Sequence, residues 1–222
     1  MWTRNFFGIE LYYVIQWFLI YSMLGWLVES IYMSICNRKL TNRGFVRGPF
    51  CPIYGFGALI VYFLLRPICD NIYLLYLFGC LVPTAFEYLT AKLMMKVFGE
   101  VWWDYSNKPF NYKGILCLES TIAWGFYTVG LFLFLHKGVE FIVSRYSVHT
   151  GKWLAGILMF LLGIDFLWNM YLQKKDSISA VKGKNTEIYL KKRNCRIRQF
   201  LFVIFSFFPA YNAIRGILGA CV

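Results

Sequence analysis

Apolar residues in this chain come in long runs that do not alternate with polar ones. Short polar or basic segments separate these runs. The runs predict helices over residues 11–35, 51–65, 72–95, 115–135, 153–172 and 200–222. A helix of about 20 apolar residues crosses a hydrocarbon layer of about 30 Å. A spanning β-barrel needs alternation, which is absent, so helices are the expected solution. The second run is short and holds Pro52, Gly55 and Gly57, so it either spans with help from its flanks or begins as a broken or re-entrant segment. The last run contains Pro209 and Arg215. The expected fold class is all-α, a polytopic transmembrane helical bundle of 5–6 spans. The expected organisation is a five-span transmembrane domain over 1–172, a basic cytoplasmic linker over 173–199, and a candidate sixth transmembrane segment over 200–222. The first run exceeds a signal-peptide core, carries Glu29 and lacks an A-x-A site, so it is expected to remain as the first span.

Composition strengthens this picture. Of 222 residues, 59% are hydrophobic and 15% charged, against about 25% charged in soluble domains. Mean hydropathy is +0.54. One soluble core could not hide that much apolar surface, whereas lipid solvates it directly.

The net charge of +12 would point a soluble protein toward nucleic acid. Here the basic residues gather between the apolar runs. Arg38, Lys39, Arg43 and Arg47 lie in 37–49; Lys92, Lys96, Lys108 and Lys113 lie in 92–114; the densest cluster lies in 173–199. The opposite ends of the runs carry only Arg4, Arg66, Lys137, Arg145 and Lys152. The positive-inside rule then places the first set in the cytoplasm and the N-terminus outside. The bilayer is the expected partner, and nucleic acid is not. Stretch 173–199 reads as a solvated or membrane-surface linker able to meet anionic headgroups.

The seven cysteines form no CxxC pair and are read as reduced small hydrophobes. His136 and His149 fall in one predicted loop, 136–152, with no HExxH or similar pattern. No metal, cofactor or catalytic residue is expected, so the chain is not read as an enzyme.

Four acids lie in or beside spans: Glu29, Glu87, Glu119 and Asp165. Each costs on the order of 2.5–3.5 kcal/mol at mid-membrane. Carried on four different spans, they suggest a polar intramembrane site in the bundle interior. Isolated structural acids are the alternative, and Glu119 sits nearest an edge. Ser22, Gly25, Trp26 and Glu29 share a helical face, and Gly25 would admit a close neighbour. Thr84, Glu87, Thr90 and Ala91 share another, behind Pro83.

Two loops carry further candidates. NRGFVRGPFCPIYGFGAL, 42–59, is rich in Gly and Pro. Its Arg43 and Arg47 suit a phosphate or a membrane acid, or are simply cytoplasmic charges in a turn. In WWDYSNKPF, 102–110, the aromatics Trp102, Trp103 and Tyr105 suit an interfacial belt, and Asp104 suits an Asx-turn. A substrate gate or a partner-docking surface is the other reading of this loop.

These stretches also carry a resemblance. GWLVES at 25–30, NRGFVRGPFCPIYGFGAL at 42–59, EYLTAKL at 87–93, FGEVWWDYSNKPFN at 98–111 and CLESTIAWG at 117–125 resemble the bacterial putative ABC-transporter type IV family, the CmpB-like permeases. The resemblance covers about residues 15–170 and excludes the region after 173, while Ala91 and Met95 depart from the family pattern. It implies a permease subunit in a bacterial cytoplasmic membrane. The matching positions are Glu29, Arg43, Pro52, Tyr54, Gly55, Glu87, Trp103, Asp104, Tyr105 and Trp124.

Three further functions stay open beside the permease. One is an ion- or proton-coupled secondary transporter using the buried carboxylates. Another is a non-transporting scaffold, and the third an intramembrane lipid-acting enzyme. No GxxxxGK[ST] occurs, so an ABC permease of this sequence would need a separate ATPase subunit. So small a bundle also suits a homo- or hetero-oligomer.

Overall fold

The structure is a computed structural model describing residues 2, 4–38, 48–99, 101 and 103–182, with backbone alone at 32, 33, 36, 37, 98 and 173–182. Arg43, Arg47, Trp102 and the segments 183–199 and 200–222 lie outside the described residues.

The chain opens with a small hairpin, β1 (Asn5–Phe6) and β2 (Ile9–Glu10). Phe7 and Gly8 form its turn, both with positive φ (50° and 81°), the conformation that two-residue hairpins favour. Helix α1 (Leu11–Asn37) follows directly and ends on Arg38 in the left-handed region. Helix α2 (Pro52–Leu65) has Pro52 as its first residue, where the missing N–H costs nothing. A 3-10 turn, Arg66–Ile68, leads to α3 (Ile72–Phe98). The Asn71 side chain caps α3 by accepting from the Tyr73 and Leu74 amides, and Gly99 at φ 73° closes it.

A second hairpin, β3 (Asn111–Tyr112) and β4 (Leu116–Cys117), precedes α4 (Leu118–Gly130). One π-helical turn, Leu131–Leu135, joins α4 to α5 (His136–Ser144) without a break. Helix α6 (Val148–Lys182) completes the described chain.

Among the described residues, four stretches are long and apolar enough to cross a membrane: Leu11–Ile31, Ile72–Val97, Leu118–Ser144 and Val148–Leu172. Pro52–Ile68 is a shorter apolar helix.

Helices α1 and α2 run antiparallel in close contact. A Cβ on Gly25 would collide with the Tyr54 ring, and one on Gly55 would collide with Ser22 and Phe18. The two glycines therefore set the interhelix distance. Helices α3 and α4 are also antiparallel, with Thr84 donating to Thr121 at 3.2 Å.

Core packing falls into three patches. Trp17, Tyr21, Tyr62, Leu65, Leu131 and Val139 join α1, α2, the π turn and α5. Ala91, Met94, Trp103, Tyr105 and Cys117 join α3 to the second hairpin. Phe18, Leu19, Phe50, Ala155 and Leu162 hold α6 against α1. Apart from that seam α6 is open, with only 11% of its apolar window buried, as expected of a helix facing lipid.

Three expectations are refined. The second run, left open between a span and a broken or re-entrant start, is a regular helix from Pro52. The fourth span continues to Ser144, so His136 is a buried helix residue and not part of a loop. Polar HKGVE hid this continuation, because Val139 and Val143 face the core at helical spacing while the charges face outward. Helix α6 starts at Val148 and its backbone stays helical to Lys182, so the first ten residues of the basic stretch 173–199 continue the helix.

Candidate functional site: buried acids and their partners

Glu87 is only 7% exposed on the inner face of α3, one turn after Pro83. Its two carboxyl oxygens meet two donors. Tyr105 donates its hydroxyl to Oε1 at 2.8 Å, and Trp124 of α4 donates Nε1 to Oε2 at 3.1 Å. The carboxyl thus joins α3, α4 and the connection between them. Burial chiefly raises the Tyr105 phenol above its ordinary range, and the Glu87 charge adds to this, so Tyr105 remains a protonated donor.

The connection is built to deliver Tyr105. Asp104 Oδ1 accepts the Ser106 amide at 2.9 Å, forming the expected Asx-turn, and also accepts the Ser106 hydroxyl. The Tyr105 amide bonds the Gly114 carbonyl at 2.8 Å. Trp103 Nε1 donates to the Ile115 carbonyl at 2.8 Å. Asn111 reaches back to the Lys108 carbonyl, also at 2.8 Å. Trp103 (4% exposed) and Tyr105 (0%) are core residues of this folded unit, which corrects their reading as an interfacial belt. An aromatic cluster between polar residues looks the same in sequence whether it lies on the headgroups or is folded under its own loop.

The other three acids have different partners. Glu29, 2% exposed on α1, accepts the Tyr54 hydroxyl at 2.8 Å. That contact is possible because Tyr54 crosses Gly25, the close approach the 22–29 face anticipates. Asp165 on α6 accepts the Gly48 amide at 2.8 Å and is bonded by the Asn169 side chain. Glu119, in the first turn of α4, pairs with Lys108 at 3.1 Å and is 33% exposed.

The described partners of the four acids do not overlap: Glu87 joins α3 and α4 to their connection, Glu29 joins α1 to α2, Asp165 joins α6 to the backbone before α2, and Glu119 joins α4 to Lys108 of the connection. Among the described residues, no group of three or more His, Cys, Asp or Glu side chains could hold a metal. Pro52 starts α2, and Gly55 packs on Ser22 and Phe18. Cys51 donates its amide to the Ser22 carbonyl at 2.9 Å. Cys69, Cys80 and Cys117 are free thiols. Burial pushes the Cys117 thiol up, with the Ser120 hydrogen bonds opposing the shift.

A second polar cluster escaped sequence reading. His136, 7% exposed, is within 2.7 Å of the Tyr21 hydroxyl through Nδ1 and within 3.5 Å of Glu140 through Nε2. A signal did exist: histidine and glutamate at i and i+4 at the end of an apolar run.

Long apolar helices that bury Glu29 and Glu87 between them, with basic residues gathered at one set of helix ends, fit a multi-pass helical membrane protein. Residues 16–170 match the family described as putative ABC-transporter type IV, and the chain belongs to that family. No solved structure matches it.

Proposed function

We infer that the chain is the membrane-embedded permease subunit of an ABC-type transporter, powered by a separate ATPase. Family membership supports this reading, as does the absence of a GxxxxGK[ST] stretch from the sequence. In this reading the chain sits in a bacterial cytoplasmic membrane with its N-terminus outside. Alternating helix directions across α1, α2 with its 3-10 turn, α3, α4–α5 and α6 then give five crossings over 1–172. The basic segments after α1, after α3 and at the end of α6 all fall on the cytoplasmic side.

The observation that carries the reading is the Tyr105–Glu87 hydrogen bond at 2.8 Å. It fastens the folded α3–α4 connection to a spanning helix. A cytoplasmic unit rigidly tied to a span is suited to pass the motion of a soluble motor into the bundle. Glu29 and Glu87 then act as ties between helices, Asp165 and Glu119 as ties between a helix and a connection, and no catalytic chemistry is assigned to the chain. A second copy or another membrane subunit completes the transport path.

Purification of the tagged chain from native membranes tests this. The expected result is co-purification of an ATPase, and solute flux in reconstituted vesicles that requires ATP. A chain that purifies alone and moves solute without ATP would overturn the reading. Lipid turnover that survives in detergent would favour an intramembrane enzyme instead.

A further inference from the structure

The His136 cluster lies apart from the four acids, is absent from the functional reading above and does not depend on it. The ring is enclosed by aromatic faces and edges. Tyr62 lies over it at 4.0 Å between centroids, and Trp17 meets it edge-on at 4.6 Å. Tyr21 of α1 approaches Nδ1 at 2.7 Å, and Glu140, one turn further along α5, approaches Nε2 at 3.5 Å. Tyr62 comes from α2, and Arg66 from the 3-10 turn adds the remaining charge, its guanidinium 6.0 Å from the Tyr62 ring centroid. Four parts of the bundle therefore converge on one imidazole.

Two features set this ring apart from an ordinary core histidine. First, among the described residues His136 Nε2 and Trp17 Nε1 are buried with no hydrogen-bond partner, although buried donors are normally paired. At 3.5 Å, Glu140 is an electrostatic neighbour of Nε2 and not a hydrogen-bond acceptor. Second, Nδ1 keeps Tyr21 as a hydrogen-bond partner in either form of the ring. In the neutral form with hydrogen on Nε2, the Tyr21 hydroxyl donates to Nδ1. When a proton is added at Nδ1, that nitrogen donates to the Tyr21 oxygen, whose hydroxyl keeps its own hydrogen and turns. The charged ring then faces the Glu140 carboxylate and the π-face of Tyr62, both of which favour a cation, whereas the Arg66 guanidinium opposes it. Glu140 is 53% exposed, so the cluster reaches from the buried ring to the protein surface.

We propose that His136 is a proton-binding site beside the half-exposed Glu140 carboxylate, and that protonation of its ring reverses the Tyr21 hydrogen bond that ties α1 to α5. One proton moves from water to Nδ1; no covalent bond between heavy atoms changes. The bond to Tyr21 and the contact with Tyr62 make α1 and α2 sensitive to that proton.

The test uses the full chain in phospholipid nanodiscs with isotopically labelled histidine. There are only two histidines, so His149→Gln leaves His136 as the sole signal. The expected result is a reversible change of the ring nitrogen signals between about pH 4 and 9 while the protein stays folded. Glu140→Gln, which removes the facing negative charge, is expected to weaken proton binding by about threefold or more. A ring signal constant over that range would overturn the proposal. So would a change that coincides with unfolding, or a titration that Glu140→Gln leaves untouched. The His149→Gln measurement alone suffices if the Glu140 variant does not fold.

Discussion

Tyr105 and Glu87 stand 18 residues apart in sequence, yet the hydroxyl of one meets the carboxyl of the other at 2.8 Å with both side chains buried. The bond holds the α3–α4 connection down on α3. Removing it should therefore affect the connection before the helices. Tyr105→Phe leaves a buried carboxyl oxygen short of a donor, which costs about 1–3 kcal/mol. The expected outcome is a lower thermal midpoint in detergent and faster proteolysis within 101–117, with helix content unchanged. Glu87→Gln keeps an acceptor for Trp124 and should lose less stability than Glu87→Leu.

The α1–α2 contact has no room to spare. Gly25→Leu drives a side chain into the Tyr54 ring, and Gly55→Leu drives one into Phe18 and Ser22. Overpacking of this kind costs about 1–3 kcal/mol or more. Both variants should unfold at lower denaturant concentration than the parent. Gly25→Leu should also separate Tyr54 from Glu29, which Tyr54→Phe would mimic more mildly.

Asp165 reaches from α6 to the Gly48 amide at 2.8 Å, just ahead of α2. Asp165→Leu deletes that acceptor, whereas Asp165→Asn keeps one. Hydrogen exchange at Gly48 is expected to accelerate about tenfold in the leucine variant, an amount corresponding to one ordinary hydrogen bond. Little change is expected in the asparagine variant. Equal exchange in all three proteins would mean that the contact does not persist in the membrane.

Thiol chemistry reads out both burial and orientation. The Cys117 thiol is raised by burial, so it has less reactive thiolate at neutral pH than an exposed thiol, and its reactivity climbs as pH rises toward the shifted value. Cys69, just after the 3-10 turn, is half-buried. In single-cysteine variants near pH 8, Cys117 should alkylate at least about tenfold more slowly than Cys69. Denaturant should abolish the difference. A membrane-impermeant maleimide should label Cys69 from outside intact cells if the N-terminus is outside; labelling only from the cytoplasmic side would reverse the orientation.

Much of this protein is legible in its residue order. Lipid and water separate apolar from polar side chains so strongly that run lengths alone mark the long helices at 11–35 and 72–95 to within a few residues and place a third over 153–172, inside the longer Val148–Lys182, and the family resemblance rests on motifs visible in the same order. Local rules also served: Asp104 forms its Asx-turn, and Gly25 admits a neighbour beside Glu29. Tertiary structure decided what run length cannot encode. Whether an acid meets other acids or a tyrosine depends on how helices rotate and slide against each other, and their apolar surfaces favour many rotations almost equally. Only the packed bundle determined that Glu87 faces Tyr105 and Trp124, that Trp103 is core, and that His136 is buried against Tyr21 beyond a π turn. Those contacts join residues far apart in the chain, and their partners became identifiable only once side-chain shape had fixed one arrangement.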